Sequence, residues 1–226
     1  MKGEKAIEKK TRVLIIDDHP MTRAGLVHVI NHQPDMIVCG EAASAVQALE
    51  ILDSSRPDLL LVDITLPGKS GLELIKDVKA LRPELLMLVI SMHDESLYAD
   101  RVLRAGARGY ITKDEGGEKL IEAIRHVLRG RIYVSESMSA HILEIFSGRQ
   151  AALDRSSIEK LSDREFEVFE SLGAGLSSQQ IAKKLHLSAK TVDAHRANIK
   201  TKLSIKTSAE LIAYAARWMS HQSQKG

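Results

Sequence analysis

The chain has 226 residues, 44% of them hydrophobic, which is long for one average domain and comfortable for two. No apolar run approaches the roughly 20 residues needed to cross a bilayer, and the opening MKGEKAIEKK lacks an apolar signal core, so a cytoplasmic protein with no membrane partner is expected. Cys39 is the single cysteine; it excludes an internal disulfide or a cysteine-rich metal site and reads, within MIVCG, as a small buried hydrophobe.

The net charge of +2 is unevenly divided. Residues 1–153 carry 20 basic and 22 acidic side chains, residues 154–226 carry 12 and 8, and within 177–207 the count is seven to one. Such a local excess suggests a surface for a polyanion on the smaller half.

In chain order, five β-rich runs come first: VLIID, MIVCGEA, LLLVD, LMLVIS and GYIT. They alternate with helical patterns near residues 20–32, 44–55, 71–81, 95–105 and 117–129, which predicts an α/β domain whose parallel sheet has helices on both faces. VLIID, LLLVD and LMLVIS are apolar throughout, as strands buried on both faces should be. This domain is expected over 12–130. A linker with a short helix from Glu136 to Phe146 follows over 131–153, and an all-α domain of four helices over 154–220. The first of these four opens with Ser162 and Glu165 in capping-box spacing.

Ligands of an open parallel sheet gather at the carboxyl ends of its strands. Asp17 and Asp18 close the first strand, Asp63 the third, Ser91 the fourth, and Thr112-Lys113 the fifth. Carboxylates brought together repel unless a cation joins them, and an oxygen-only set suits Mg²⁺. Lys113 adds a movable positive charge and Ser91 a hydroxyl, so Asp63 reads as a nucleophile toward phosphorus.

The segments IIDDHP, VDITLPGKSGLE, VISMHD and GYITK resemble the receiver domain of bacterial two-component response regulators, over about residues 12–130. The resemblance implies a flavodoxin-like, doubly wound five-stranded sheet. It makes Asp63 the residue phosphorylated by a sensor histidine kinase, and Asp17, Asp18 and the Thr65 carbonyl the Mg²⁺ ligands beside it. Ser91 and Tyr110 match the hydroxyl and aromatic switch positions, and Lys113 the motif lysine. Mg²⁺-dependent phosphatases of the haloacid-dehalogenase type offer an enzyme alternative, but they carry a second acid two residues after the nucleophile, where this chain has Thr65. Slow self-dephosphorylation is then the only further catalysis expected.

In the helical half, Val192, His195, Ile199 and Leu203 form one stripe of the third helix, facing a core. Lys190, Ala194, Ala197 and Thr201 lie opposite, flanked by Asp193 and Asn198. That face is small and polar, as entry into a major groove requires, and the preceding helix from Ser177 completes a helix-turn-helix reaching to Arg196. Lys183, Lys184, Arg196, Lys200 and Lys202 can reach phosphates, with Ser177 as a further donor. The stretch from LSDREFEVF to AELIAYA resembles the LuxR-type DNA-binding domain, and its pairing with a receiver is the architecture of the NarL/FixJ group. By that resemblance Ser177, Lys184, Lys190, Thr191, Asp193, Ala194, Arg196, Ala197 and Lys200 face double-stranded DNA. Asp193 is an unusual acid at its position and could accept a hydrogen bond from cytosine. Ala209, Leu211, Ile212 and Ala215 lie on the helix that joins two such domains in the family, and Trp218 belongs either to the core or to that interface.

The expected whole is a transcription regulator in which phosphorylation at Asp63 moves the protein out of an arrangement that occludes the recognition helix, allowing a homodimer on DNA. A regulator that binds DNA without phosphate is the second reading.

Overall fold

The computed structural model describes residues 10–136, 138–140, 155–158 and 160–223. Five strands, β1 (Thr11–Ile16), β2 (Met36–Ala42), β3 (Leu59–Val62), β4 (Leu86–Ser91) and β5 (Tyr110–Thr112), pair in parallel in the order β2-β1-β3-β4-β5. Val13 to Ile16 and Leu59 to Val62 have no solvent exposure, which is why these runs show no polar alternation. The helices α1 (Pro20–Asn31) and α5 (Gly116–Leu128) supply residues to the apolar cluster on one face, and α2 (Ala45–Ser55), α3 (Gly71–Leu81) and α4 (Glu95–Ala105) to that on the other. This is the flavodoxin-like, doubly wound sheet, and its order reverses between β1 and β3, where Asp17, Asp18 and Asp63 end their strands.

Helix starts follow local chemistry. Ser70 and Glu73 form a reciprocal capping box at α3, and Asp94 accepts from the Ser96 N–H at α4. Gly106, at φ +115°, ends α4 in a conformation that only glycine adopts cheaply.

The receiver-like unit runs further than residue 130. Tyr133 forms a parallel bridge with Gly109, its carbonyl accepting from Tyr110 N–H at 2.8 Å, and Met138 is buried in the core. The predicted linker thus begins as part of the first domain. Glu136 and residues 138–140 are helical, as expected; the remainder of the predicted short helix, to Phe146, lies outside the described residues.

Beyond it come α6 (Arg155–Ile158), α7 (Asp163–Gly173), α8 (Ser178–Lys184), α9 (Ala189–Lys202) and α10 (Ser208–Ser223), so one short helix precedes the four predicted ones. Capping boxes at Ser162 and Ser177 and the Ser188 cap start α7, α8 and α9. Phe166, Phe169 and Trp218 pack as an aromatic group, which assigns Trp218 to the core. Their apolar cluster is continuous with the α2–α3–α4 side of the sheet. Cys39 is half-buried, since β2 is an edge strand, and that burial pushes its thiol pKa up.

Candidate functional site

Asp63 follows β3 and is only 2% exposed. Its backbone is fixed by Asp63 N–H donating to Ile16 O at 2.8 Å and by Gly71, where an added Cβ would lie 2.0 Å from the Asp63 carbonyl. The β3–α3 turn can therefore close over the acid only with glycine at 71. Lys113 Nζ lies 2.6 Å from Asp63 Oδ2 and 2.7 Å from Asp17 Oδ2, bridging the two strand ends. Burial raises the Asp63 pKa, with Lys113 working against it. Burial also opposes the Lys113 charge, but Asp63 and Asp17 outweigh it and hold the ammonium above the ordinary lysine value.

One potential ligand atom from each of Asp17, Asp18, His19 and Asp63 lies within 4.8 Å of all the others. Asp17 Oδ2 is buried against the Lys113 ammonium and Asp18 Oδ1 against the His19 ring, and carboxylates gathered this closely call for positive charge among them. These carboxylates fit Mg²⁺. Thr65 N–H donates to Asp63 Oδ1 at 3.3 Å, placing residue 65 against the acid. Ser91 is fully buried at the end of β4, and Tyr110 points inward, its hydroxyl donating to His93 O at 2.7 Å. The sequence-predicted pocket residues are thus brought to one sheet edge.

The sequence did not indicate the seam that joins this pocket to the helical domain. Thr65 Oγ1 is 3.0 Å from His93 Nε2, His93 Nδ1 is 3.2 Å from Glu170 Oε1 on α7, and Tyr98 hydroxyl donates to Glu170 Oε2 at 2.7 Å. Burial would raise the Glu170 pKa, but the hydrogen bond and charge of His93 hold it below the ordinary glutamate value. Arg164 pairs with buried Glu167 and donates to Gly68 O at 2.9 Å and to Leu66 O at 3.3 Å. Arg101 donates to the Ile158 and Leu161 carbonyls and lies 4.1 Å over the Phe166 ring, while Lys76 pairs with Asp163 at 2.6 Å. A cleft of about 700 Å³ remains at this boundary, lined among others by Asp63, Lys113, Glu170, Lys184 and His186. Only His93, two residues past Ser91 in SMHD, carried a sequence signal. Glu170 is one of several acids in DREFEVFE, and nothing local sets it apart from the others.

The helix-turn-helix is α8 and α9. Val192 and Ile199 are fully buried, whereas His195 and Leu203 are half-buried, so the predicted core stripe is complete but shallower at two positions. Burial lowers the His195 pKa. Ser177, Lys184, Lys190, Thr191, Asp193, Ala194 and Ala197 are exposed, and Arg196 and Lys200 are half-buried. The expected occlusion of the recognition helix is therefore not what this arrangement contains. The receiver-like unit covers α7, and α9 packs on α7 through one stripe and turns its other face outward. Asp193 accepts from Ser178 Oγ at 2.9 Å, and Arg196 donates to the same hydroxyl at 2.6 Å, so the unusual acid belongs to a cluster that orients Arg196. On α10, Ala209 and Ile212 are exposed, but Leu211 and Ala215 have no exposure and belong to the domain core, not to a free joining face.

Residues 13–125 match the response regulator receiver domain family, and residues 159–215 match the bacterial regulatory proteins of the luxR family. The oxygen regulatory protein NreC of Staphylococcus aureus is 37% identical over 210 residues, covering 91% of this chain and 97% of that protein. Among solved structures, RcsB from Salmonella enterica serovar Typhimurium, bound to the rprA promoter in the presence of the phosphomimetic BeF₃⁻, aligns with a TM-score of 0.61 and 26% identity. That alignment covers 92% of this chain and 99% of RcsB. A LuxR-family two-component response regulator from Aurantimonas sp. SI85-9A1 aligns with a TM-score of 0.57 and 32% identity, covering 62% of this chain and 99% of that one. No helix among the described residues is long and apolar enough to cross a membrane.

Proposed function

The chain belongs to the bacterial two-component response regulators that join a receiver to a LuxR-type DNA-binding domain, and on that premise we propose that Asp63 is the residue that accepts phosphate. The family makes it a transcription regulator. The observation that carries the assignment is Asp63 at the end of β3, salt-bridged to Lys113 within a cluster that includes Asp17 and Asp18.

A carboxylate oxygen of Asp63 attacks the phosphorus of a phosphohistidine on a sensor kinase. The P–O bond forms as the P–N bond breaks, and the departing imidazole takes a proton. Lys113 neutralises the added charge, since its ammonium already touches Asp63. Asp17, Asp18, Asp63 and the Thr65 carbonyl would hold Mg²⁺, which when bound supplies positive charge to the phosphoryl oxygens. Ser91 and Tyr110 are the hydroxyl and aromatic switch residues. With Thr65 where a phosphatase would carry its general acid, the site stores phosphate, losing it only by slow self-dephosphorylation.

The coupling to DNA runs through the seam. New charge at Asp63 acts on Thr65 and His93, and so on the His93–Glu170 and Tyr98–Glu170 contacts that hold α7. Release of α7, instead of uncovering of α9, changes the arrangement that the exposed recognition face can take as a homodimer on DNA. RcsB, solved as two dimers bound to two parallel DNAs, supports the homodimer on DNA.

DNA affinity and oligomeric mass, measured before and after acetyl phosphate or beryllofluoride with Asp63→Asn as control, test the proposal. A treated wild type that dimerises and binds DNA more tightly, beside an unresponsive variant, is expected. Identical behaviour in all states would support a phosphate-independent regulator.

A further inference from the structure

The seam between the domains holds a series of groups ordered to move a proton. Tyr98 hydroxyl and His93 Nδ1 meet the two oxygens of Glu170, at 2.7 and 3.2 Å, and His93 Nε2 stands 3.0 Å from Thr65 Oγ1. An ionised Glu170 only accepts, so it takes the Nδ1–H of His93 and leaves the Nε2 lone pair for the Thr65 hydroxyl to donate to. Thr65, His93 and Glu170 line the same cleft as Asp63 and Lys113. His93 is only 8% exposed, and its backbone N–H donates to Ser91 Oγ at 3.2 Å, which holds the turn that carries the ring. Across the cleft, His186 Nε2, from the turn between α8 and α9, lies 2.9 Å from Asp18 Oδ2, so the helical domain is pinned at both edges. A hydroxyl, an imidazole and a carboxylate in hydrogen-bonded series are the parts of a general base, and here the third part comes from the other domain.

We propose that His93, oriented by Glu170 of the helical domain, draws the proton from the water that hydrolyses the Asp63 phosphate, so that the seated helical domain shortens the life of the signal. This step presupposes that Asp63 is the phosphate acceptor, and it adds what sets the rate of phosphate loss. Water against Thr65 Oγ1 attacks phosphorus on the side opposite Asp63. The new P–O bond forms as the bond from phosphorus to the Asp63 oxygen breaks, and the electron pair returns to the carboxylate, which Lys113 meets at 2.6 Å. The proton of the water passes to Thr65 Oγ1 as that hydroxyl gives its own to His93 Nε2, and the imidazolium so formed faces Glu170. Inorganic phosphate and the free Asp63 carboxylate are the products. Glu170 touches none of the reacting atoms and is a positioning residue. Release of α7 takes Glu170 away and frees the ring to turn, so phosphate persists in the released arrangement and is erased in the closed one.

The test is the lifetime of the Asp63 phosphate in the full chain, labelled with radioactive acetyl phosphate in Mg²⁺ and followed after the donor is removed. His93→Ala should lengthen that lifetime at least about tenfold, where a positioned base typically supplies about 10²–10⁴-fold. Added imidazole should shorten it again, which a merely structural loss would not allow. Glu170→Gln keeps an acceptor for His93 Nδ1 but not the charge that faces the imidazolium, and should lengthen the lifetime by a factor between those of wild type and His93→Ala. His93 packs on Tyr98, with ring centroids 4.7 Å apart, so the near-isosteric glutamine carries the test if alanine opens the core. A wild-type lifetime in Glu170→Gln overturns the positioning role, and a His93→Ala lifetime that is unchanged, or long but indifferent to imidazole, overturns the base. Label taken up and lost at one rate by all three proteins sinks this proposal and leaves phosphate acceptance standing, whereas no uptake by the wild type sinks both.

Discussion

Helices α7 and α9 belong to the same small domain and carry similar shares of charge, yet they meet opposite surroundings. Every residue from Asp163 to Leu172 is buried, five of them charged, because the receiver covers one side of α7 and α9 and α10 the other. On α9 only Val192 and Ile199 are buried. The difference teaches that buried charge here is a device for joining domains, while exposed charge is left for a partner. A buried ion pair is costly to break and adds little net stability over apolar packing. It does make the seam sensitive to any change of charge nearby.

The largest effect should follow from removing the signal at its source. Asp63→Asn is expected to abolish phosphate incorporation from acetyl phosphate, seen as loss of the retarded band on a phosphate-affinity gel. Incorporation at wild-type level would move the acceptor elsewhere.

Next comes the seam. Arg164→Ala strands Glu167 in the interior and deletes donors to Leu66, Gly68 and Leu185 carbonyls. Breaking a buried pair costs about 3–5 kcal/mol, so the variant should melt in two calorimetric transitions where the wild type shows one. A single transition at the wild-type temperature would mean that this pair does not hold the domains.

A smaller and graded effect should come from pH. Burial pushes the Glu167 pKa up to about 7, with Arg164 working against it, and its Oε1 has no partner. The folded chain therefore holds a proton that the unfolded chain releases near 4.5, so stability falls as pH rises from about 4.5 to about 7 and is level above. Glu167→Gln should flatten the denaturant midpoint across that window. Glu170 has the opposite sign: its lowered pKa contributes stability that is lost only as pH falls below the ordinary glutamate range. An unchanged slope in Glu167→Gln would remove Glu167 as its source.

The smallest effects belong to α9. Lys200→Ala should weaken DNA binding at all sequences alike and reduce the salt-dependence slope by about 0.9, one phosphate contact. Asp193→Ala, which removes the carboxylate that Ser178 Oγ donates to and leaves Arg196 held by Ser178 alone, should broaden the sequences selected from a random pool without changing that slope. Salt slopes and selections measured together separate the two roles; an Asp193→Ala selection identical to wild type would end the case for base choice.

Much of the first domain was legible because its signals are local. Apolar runs gave the strands, three-and-four spacing gave the helices, and strand ends gave Asp17, Asp18, Asp63, Ser91 and Lys113 together. Gly71 lies within the motif VDITLPGKSGLE, but the need for glycine there follows only from the 2.0 Å approach of an added Cβ to the Asp63 carbonyl. Glu170 and His186 were illegible for a different reason. Their partners, Tyr98 and Asp18, lie far away in sequence, and no periodicity on α7 distinguishes an acid facing water from one facing another domain.

Sequence alone determined the two domains, the acidic pocket and the outward face of the recognition helix, since each depends on the order of neighbouring residues. Only the tertiary structure decided that α7 is buried all round, that α9 stays uncovered, and that His93 and His186 bring the helical domain to the edge of the pocket. Contacts between domains are set by shape and by long-range charge pairing, and neither leaves a repeat in the chain.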